Sequence, residues 1–394
     1  MHVLVTGGLG FIGSHTALVL LEHGHSVVLL DNLSNAFPRV LEHVLRLAGA
    51  RAGAVAFVEA DMRDRAQVDR VFTRESFDAV IHFAGFKAVG ESVAEPLSYY
   101  ENNFGAGMVL LAAMRRHGVR NLVFSSSCTV YGSPESVPIS EEAPLQALSP
   151  YGRSKLFQEE MFRDVCAADP SLRMLLLRYF NPVGAHPSGE LGEHPVGTPN
   201  NLMPYIQQVA LGQRESLRVF GGDYPTPDGT CVRDYIHVMD LAEGHAAALA
   251  KVAAAPGYGC QAINLGTGKG TSVLEMVRVW EQVTGVKVPF EIVDRRPGDA
   301  VAVWAATSKA ERELGWRPNL GLAEMCRDQW AWATRHPRGF EAPEAEAEAA
   351  VAAAAEAAVA AAAAAPAEAA ARKGSGGGAE AGRLVIEVTA VGAT

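Results

Sequence analysis

Residues 3–32 constrain this chain more than any other stretch. Val3 to Thr6 form a short apolar run that predicts a buried strand. Four glycines follow in Thr6-Gly7-Gly8-Leu9-Gly10-Phe11-Ile12-Gly13. Ser14 to His23 predict a helix, and Ser26 to Leu30 a second buried strand that runs into Asp31-Asn32. Glycines in such a turn let the backbone bend tightly and approach a pyrophosphate closely. The helix start behind them offers free N–H groups and the positive end of a dipole. Asp31 lies 18 residues after Gly13, near the usual offset for a carboxylate that bonds ribose hydroxyls. A carboxylate there would repel a 2′-phosphate, so NAD is favoured over NADP. The glycine spacing alone is common. The order strand, glycine turn, helix, strand, acid makes it specific.

The alternation continues along the chain. Ala54 to Glu59 predict a third strand, leading to Asp61-Met62, and 64–74 a helix. Asp78 to Phe83 predict a fourth strand, followed by Ala84-Gly85. A long helix is expected from about Pro96 to His117. A fifth strand begins at Asn121 and ends in Ser125-Ser126-Ser127, and Leu172 to Tyr179 predict a sixth. Near-continuous apolar strands alternating with helices indicate an α/β fold: a Rossmann-type, doubly wound parallel sheet buried on both faces. In such sheets ligands bind beyond the carboxyl ends of the strands. Asp31, Asp61, Ala84-Gly85, Ser125 to Ser127 and Asn181 all follow strands, so one sheet edge collects the polar chemistry.

Between the fifth and sixth strands lies Ser149-Pro150-Tyr151-Gly152-Arg153-Ser154-Lys155, at the start of a helix expected over 151–168. Residues four apart share a helix face. An ammonium beside a phenol favours the phenolate, giving a base usable near neutral pH. After Asn181 the texture changes. Residues 181–201 are rich in Pro, Gly and His and predict a loop. Asn201 to Leu211, Val238 to Val252 and 272–284 predict helices; 218–220 and Ala262 to Leu265 predict strands. This irregular region reads as a smaller mixed α/β substrate-binding domain, partly interleaved with the sheet. The expected division is 1–180 for the cofactor, 181–340 for the substrate, and a low-complexity tail over 341–394.

The tail is mostly Ala and Glu, followed by the flexible joint Gly374 to Gly378. It is read as a solvated helix or a disordered appendage, and Leu384-Val385-Ile386 as a stray strand without function. The 34 basic residues against 44 acidic ones form no basic run, so no nucleic-acid partner is expected. Five scattered cysteines, without a C-x-x-C pair, argue against a disulfide framework or a cysteine zinc site and suit a reducing compartment. Met1-His2 run straight into an apolar strand, so no leader is expected, and no apolar run makes a convincing membrane span. A cytoplasmic location follows. His186 and His194 share a loop but lack a metal-ligand spacing, and no metal is expected.

With these motifs in place, the chain resembles the extended short-chain dehydrogenase/reductase superfamily, and within it the UDP-glucose 4-epimerase family. The likeness spans about residues 1–340. It rests on long strings: Phe83 to Ser92 (FAGFKAVGES), Ser125 to Gly132 (SSSCTVYG), Leu177 to Pro187 (LRYFNPVGAHP), Pro199 to Tyr205 (PNNLMPY) and Val232 to Val238 (VRDYIHV). The resemblance implies an NAD-dependent isomerase that interconverts UDP-glucose and UDP-galactose in galactose metabolism, through a transient 4-keto sugar. It implies Tyr151 as the base, Ser127 as a hydrogen-bonding proton shuttle and Lys155 as the group that holds the nicotinamide ribose and depresses the tyrosine. Positions matching the family's NAD set are Gly7, Gly10, Phe11, Ile12, Gly13, Asp31, Asn32, Asn35, Asp61, Met62, Phe83, Lys87, Asn102, Ser125, Tyr151, Lys155 and Tyr179. Those matching its UDP-sugar set are Lys87, Ser127, Tyr151, Asn181, Asn201, Leu202, Phe220, Arg233, Tyr235, Arg296, Asp299 and Val303.

Val303 matches a gatekeeper position at which a small residue goes with acceptance of N-acetylated sugars. Some turnover of UDP-N-acetylglucosamine or its galacto epimer is therefore expected. The resemblance further implies a homodimer formed through helices near 96–117 and 151–168. Another nucleotide-sugar enzyme remains an alternative, as does a non-catalytic NAD sensor on the same fold. Ser127-Cys128-Thr129 stands where dehydratases usually carry Asp-Glu, which argues against dehydration. Retention of Tyr151, Lys155 and Ser127 argues against a mere sensor.

Overall fold

The computed structural model describes residues 1–296 and 298–341. The Ala–Glu segment, the glycine joint and Leu384 to Ile386 lie outside the described residues. Seven parallel strands form the central sheet: β1 (His2–Thr6), β2 (Ser26–Asp31), β3 (Val55–Glu59), β4 (Ala79–His82), β5 (Asn121–Ser127), β6 (Arg173–Tyr179) and β7 (Gly259–Leu265). Their order is β7-β6-β5-β4-β1-β2-β3. The chain winds one way from β1 to β3, then returns to β4 on the other side of β1. The crevice between β1 and β4 is thus the switch point.

Alternation along each strand explains the layers. Val3, Val5, Leu29, Ile81, Val123, Leu175 and Ile263 enter one apolar core, with the helices Phe11–Glu22 and Val238–Ala254. Their neighbours Leu4, Val28, Val80, Leu122, Phe124, Met174 and Ala262 enter the opposite core, with helices Arg65–Arg74, Ala106–Arg116 and Pro150–Ala168. A strand buried on both faces cannot afford polar alternation, which is why these runs are almost wholly apolar. β7 returns late in the chain to the sheet edge, where it pairs with the whole of β6. A third core, around Met203, Ile206, Trp280 and Met325, holds the irregular region together. There Leu217–Phe220 pairs in parallel with Phe290–Val293.

The long helix expected over 96–117 is not continuous. It breaks into helix Pro96–Tyr99, a π-helical turn Tyr100–Gly105 and helix Ala106–Arg116, with a separate short helix at Val89–Ala94. The π-turn turns Asn103 inward. Its amide donates to Phe86 O and Ser154 Oγ at 3.0 Å each, and its Oδ1 accepts from Phe86 N at 2.7 Å. That gain in hydrogen bonding to the Phe86 segment accompanies the departure from regular helix.

Three fully buried imidazoles make the fold acid-sensitive. Burial lowers His15 and His82 to about 3 and His245 to about 4. The unfolded chain takes up these protons near pH 6.5, whereas the folded chain refuses them. Their contribution is complete above that pH and is lost as pH falls toward the folded values, at up to about 1.4 kcal/mol per group per pH unit. Melting temperature should therefore drop steeply between pH 6.5 and 4; a flat calorimetric profile over that range would contradict neutral burial.

Candidate active site

The glycine turn sits at the switch point between β1 and β4. Gly7 has φ +66°, and a Cβ there would stand 2.7 Å from Ala84 N; a Cβ at Gly13 would run into the Gly7 carbonyl. Gly10 occupies the N-cap of helix Phe11–Glu22 with extended backbone and no side-chain cap. The first N–H groups of that helix therefore face the turn without a competing side chain. Phe11 and Ile12 open the helix, and the Phe11 ring meets His15 edge-on. Asp31, at the end of β2, is buried. Leu9 N donates to its Oδ2 at 3.1 Å and Leu33 N to its Oδ1 at 3.0 Å. Burial raises its pKa while those donors oppose the rise.

Asn32 donates to Asp61 at 3.2 Å. Asp61 is gripped by Arg63 through two bonds of 2.9 and 2.6 Å, which holds its carboxyl at about 2. Asn35 is exposed beyond this group. Met62 turns its side chain into the apolar core beside β3. Phe83, after β4, packs on the His245 ring at 4.7 Å between centroids. Asn102 donates to Asn103 Oδ1 at 3.1 Å.

The second cluster is built on β5, β6 and the helix Pro150–Ala168. Ser149 caps that helix by accepting from Gly152 N, which sets Tyr151 in its first turn. Lys155 follows one turn on and is almost fully buried. Its Nζ donates to Ser125 O at 2.7 Å and lies over the Phe124 ring at 4.9 Å. The Ser127 hydroxyl accepts from Thr129 Oγ1 at 3.0 Å and faces the Tyr151 phenol. Tyr179, opposite Ser127 across the sheet, donates its hydroxyl to His245 Nε2. His245 Nδ1 lies 2.8 Å from Leu241 O and must carry the ring proton, so Nε2 is the acceptor.

Electrostatics here differ from what the Tyr/Lys spacing suggests. Burial raises Tyr151 to about 12, with Ser127 pulling back, and burial lowers Lys155 to about 7. The Lys155 amine is anchored on the Ser125 carbonyl.

A third cluster comes from the irregular region. Arg233 donates to Val232 O and Ala300 O at 2.9 Å each, and its other nitrogen lies 3.6 Å from Asp299. Arg296 donates to Asp299 at 2.9 Å and stacks on Phe220 at 4.8 Å. One carboxylate thus gathers two arginines. Val303, buried, pairs with Arg233 across neighbouring strands and packs with Val130, Phe180 and Ala305. Cys128 links the clusters, with Tyr151 on one side and Arg233 on the other; burial pushes its thiol up to about 12.

Asn181 donates to Asp234 O at 2.9 Å, and Tyr235 pairs with it in a parallel bridge. Asn201 stands at the N-cap of helix Leu202–Ala210 without a capping bond from its side chain. Leu202 packs into the third core. Lys87 donates to Glu193 at 2.6 Å.

A family model described as GDP-mannose 4,6 dehydratase matches residues 4–329. A UDP-glucose 4-epimerase of Cyamopsis tetragonoloba is 57% identical over 342 residues, covering 87% of this chain and 97% of that protein. Among solved structures, the UDP-glucose 4-epimerase of Stenotrophomonas maltophila, with bound NAD and formylated UDP-arabinopyranose, superposes with TM-score 0.83 at 49% identity, covering 86% of this chain and 99% of that one. The Bifidobacterium longum enzyme, in complex with NAD+ and UDP, gives 0.82 at 50% identity over 86% of this chain and all of that one. The chain belongs to the UDP-glucose 4-epimerase family. The matched relatives decide the branch within the wider group that the family model spans.

In this family member several supporting residues escape sequence reasoning. Asp234 accepts four bonds, from Thr267 N and Oγ1, Gly268 N and Ala305 N, and so fixes the turn after β7 beside Arg233. Glu193 holds Lys87, His245 holds Tyr179, and Asn103 holds the Phe86 segment against the Tyr151 helix. None shares a local spacing with its partner.

Proposed function

We propose that this chain catalyses the reversible 4-epimerisation of UDP-glucose and UDP-galactose with one NAD held through the cycle, as a step of galactose metabolism. The observation that carries this reading is the convergence of Ser127, Tyr151 and Lys155 at the end of β5, beside the glycine turn at the switch point. NAD fits that turn. Gly7 and Gly13 let the turn close against its own backbone and Ala84, where any Cβ would collide, the helix start at Phe11 presents uncapped N–H groups, and Asp31 ends β2 as an acid unsuited to a 2′-phosphate. Gly7, Gly10, Phe11, Ile12, Gly13, Asp31 and Asn32 would hold the cofactor, with Asn35, Asp61, Met62, Phe83, Lys87, Asn102, Ser125, Lys155 and Tyr179 completing the set.

When bound, NAD supplies a reversible hydride acceptor for carbon 4 and a positive ring charge, so the sugar passes through a 4-keto form. Tyr151 takes the proton of the 4-hydroxyl and later returns it, and Ser127 hydrogen-bonds the same oxygen. Burial lowers Lys155 to about 7, and its charged form stabilises the phenolate. Arg233 and Arg296 exchange part of their hold on Asp299 for the diphosphate, which offers stronger charge-assisted bonds. Asn181, Asn201, Leu202, Phe220, Tyr235, Lys87 and Val303 line the remaining substrate path. The sugar must turn over between the two halves of the reaction, so a loose fit around Asn181, Phe220 and Val303 serves the chemistry. The working division is a cofactor half, 1–180, and a UDP-sugar half, 181–340, partly interleaved with the sheet through helix Val238–Ala254 and β7.

The test is incubation of the purified chain with UDP-galactose, without added NAD, followed by detection of UDP-glucose. No conversion with or without added NAD would refute the reading. Because Val303 is small, UDP-N-acetylglucosamine should also turn over, more slowly; absence of detectable product from it would remove that part alone.

A homodimer is part of the proposal. Val93, Leu97, Met108 and Phe157 are exposed apolar side chains on the helices at 89–116 and 150–168, and Tyr100 stacks on Phe157, a patch suited to a second copy. We place the protein in the cytoplasm, whose reducing conditions suit five free thiols. No helix among the described residues is long and apolar enough to cross a membrane.

A further inference from the structure

Outside the clusters above, three side chains from distant parts of the chain meet. His43 comes from helix Arg39–Ala48, Glu190 from the loop after β6, and His336 from the residue that ends helix Leu322–Arg335. One ligand atom from each lies within 4.8 Å of the others. His43 is 3% exposed. Among the described residues, His43 Nδ1 and His336 Nε2 are both buried and have no hydrogen-bond partner. Each faces the same carboxylate oxygen, Glu190 Oε2, at 3.8 and 3.6 Å. Those separations are too long for hydrogen bonds. They come close to the ~3.3 Å between ligand atoms around a tetrahedral ion with bonds of ~2.0–2.1 Å.

We propose that His43, Glu190 and His336 form a structural site for a divalent transition metal, with Zn2+ the best match. Two imidazoles and one carboxylate are a borderline-soft N2O set, which suits Zn2+ and Co2+ and does not suit Ca2+ or Mg2+. The fourth position is open to water, since His336 and Glu190 are partly exposed. The surroundings hold the ligands in place. Trp332 stacks on the His336 ring at 4.4 Å, and Phe340 meets His43 edge-on at 5.4 Å. A Cβ at Gly192 would collide with Trp332, so the loop that carries Glu190 is pressed against that helix. Arg335 donates to Glu190 Oε1 at 3.2 Å, which orients the carboxylate and leaves Oε2 to the ion. Arg46, 3.5 Å from Oε2 and largely exposed, is the competing cation. It must swing aside when the metal enters. The ion would tie the segment after β2 and the loop leading to Glu193 to the last helix.

The test needs no catalysis. The full chain, stripped with chelator and held at pH 7.5, is titrated with Zn2+ by calorimetry and melted with and without it. Co2+ serves as the optical probe. One equivalent should bind, raise the melting temperature by several degrees and give the visible band of tetrahedral Co2+. His336→Gln, at the rim of the cluster and least disturbing to folding, should abolish all three. Arg46→Gln should tighten binding several-fold. No saturable binding, or binding equal in wild type, His336→Gln and His43→Gln, would overturn the site.

Discussion

Tyr151→Phe should lower kcat on UDP-galactose by about 10²–10⁴-fold, with little change in KM. The substitution removes one oxygen and keeps the ring, whose edge contact with Tyr99 is then preserved. In the proposed mechanism Tyr151 is the one base: the Ser127 hydroxyl already accepts from Thr129 Oγ1, and Lys155 donates to Ser125 O. UDP binding, which we assign to Arg233, Arg296 and their neighbours, should survive. Initial rates and UDP calorimetry on the same preparation check both halves of the statement. A Phe variant that kept more than roughly a tenth of wild-type kcat would contradict general-base catalysis of the usual size.

Glu159→Ala should destabilise the fold by about 3–5 kcal/mol, although Glu159 touches no proposed ligand position. Its carboxylate is fully buried and receives Arg178 at 3.0 and 2.6 Å, Arg163 at 2.8 Å and Ser126 Oγ at 2.5 Å. Arg178, equally buried, also donates to Tyr131 OH and Glu141 O. Removing the acid leaves a guanidinium without its counter-charge in the layer directly beneath Ser127 and Tyr151. The double change Glu159→Leu with Arg178→Met should recover much of the loss, because two apolar groups of similar volume bury no charge. Chemical denaturation of the two variants decides it. A double variant less stable than Glu159→Ala would show that the pair itself, and not the orphaned charge, supplies the stability.

These two outcomes separate what the chain makes legible from what it hides. Tyr151 and its helix could be found by spacing, because i and i+4 on a helix is a local rule. The seven-strand sheet was largely readable for the same reason. Val3 to Val5 and Met174 to Leu177 are apolar without interruption, as strands buried on both faces are. The N-terminal unit, with Gly7, Gly13 and Asp31, marks the cofactor crevice from sequence alone, since only a turn that forbids Cβ atoms needs glycine there.

The partners of these residues obey no local rule. Asn103 reaches Ser154 across 51 positions, Tyr179 reaches His245 across 66, and Lys87 reaches Glu193 across 106. The π-turn that aims Asn103 inward is paid for by bonds to Phe86, a residue that the helix periodicity never registers. Sequence by itself determined the strand and helix order, the glycine turn and the Tyr151/Lys155 face, because backbone sterics and burial act over a few residues. The tertiary structure alone decided where charges are neutralised. It set Lys155 on a carbonyl, two arginines on Asp299 and Tyr151 at about 12, because a side chain's pKa and partners depend on what folding brings beside it.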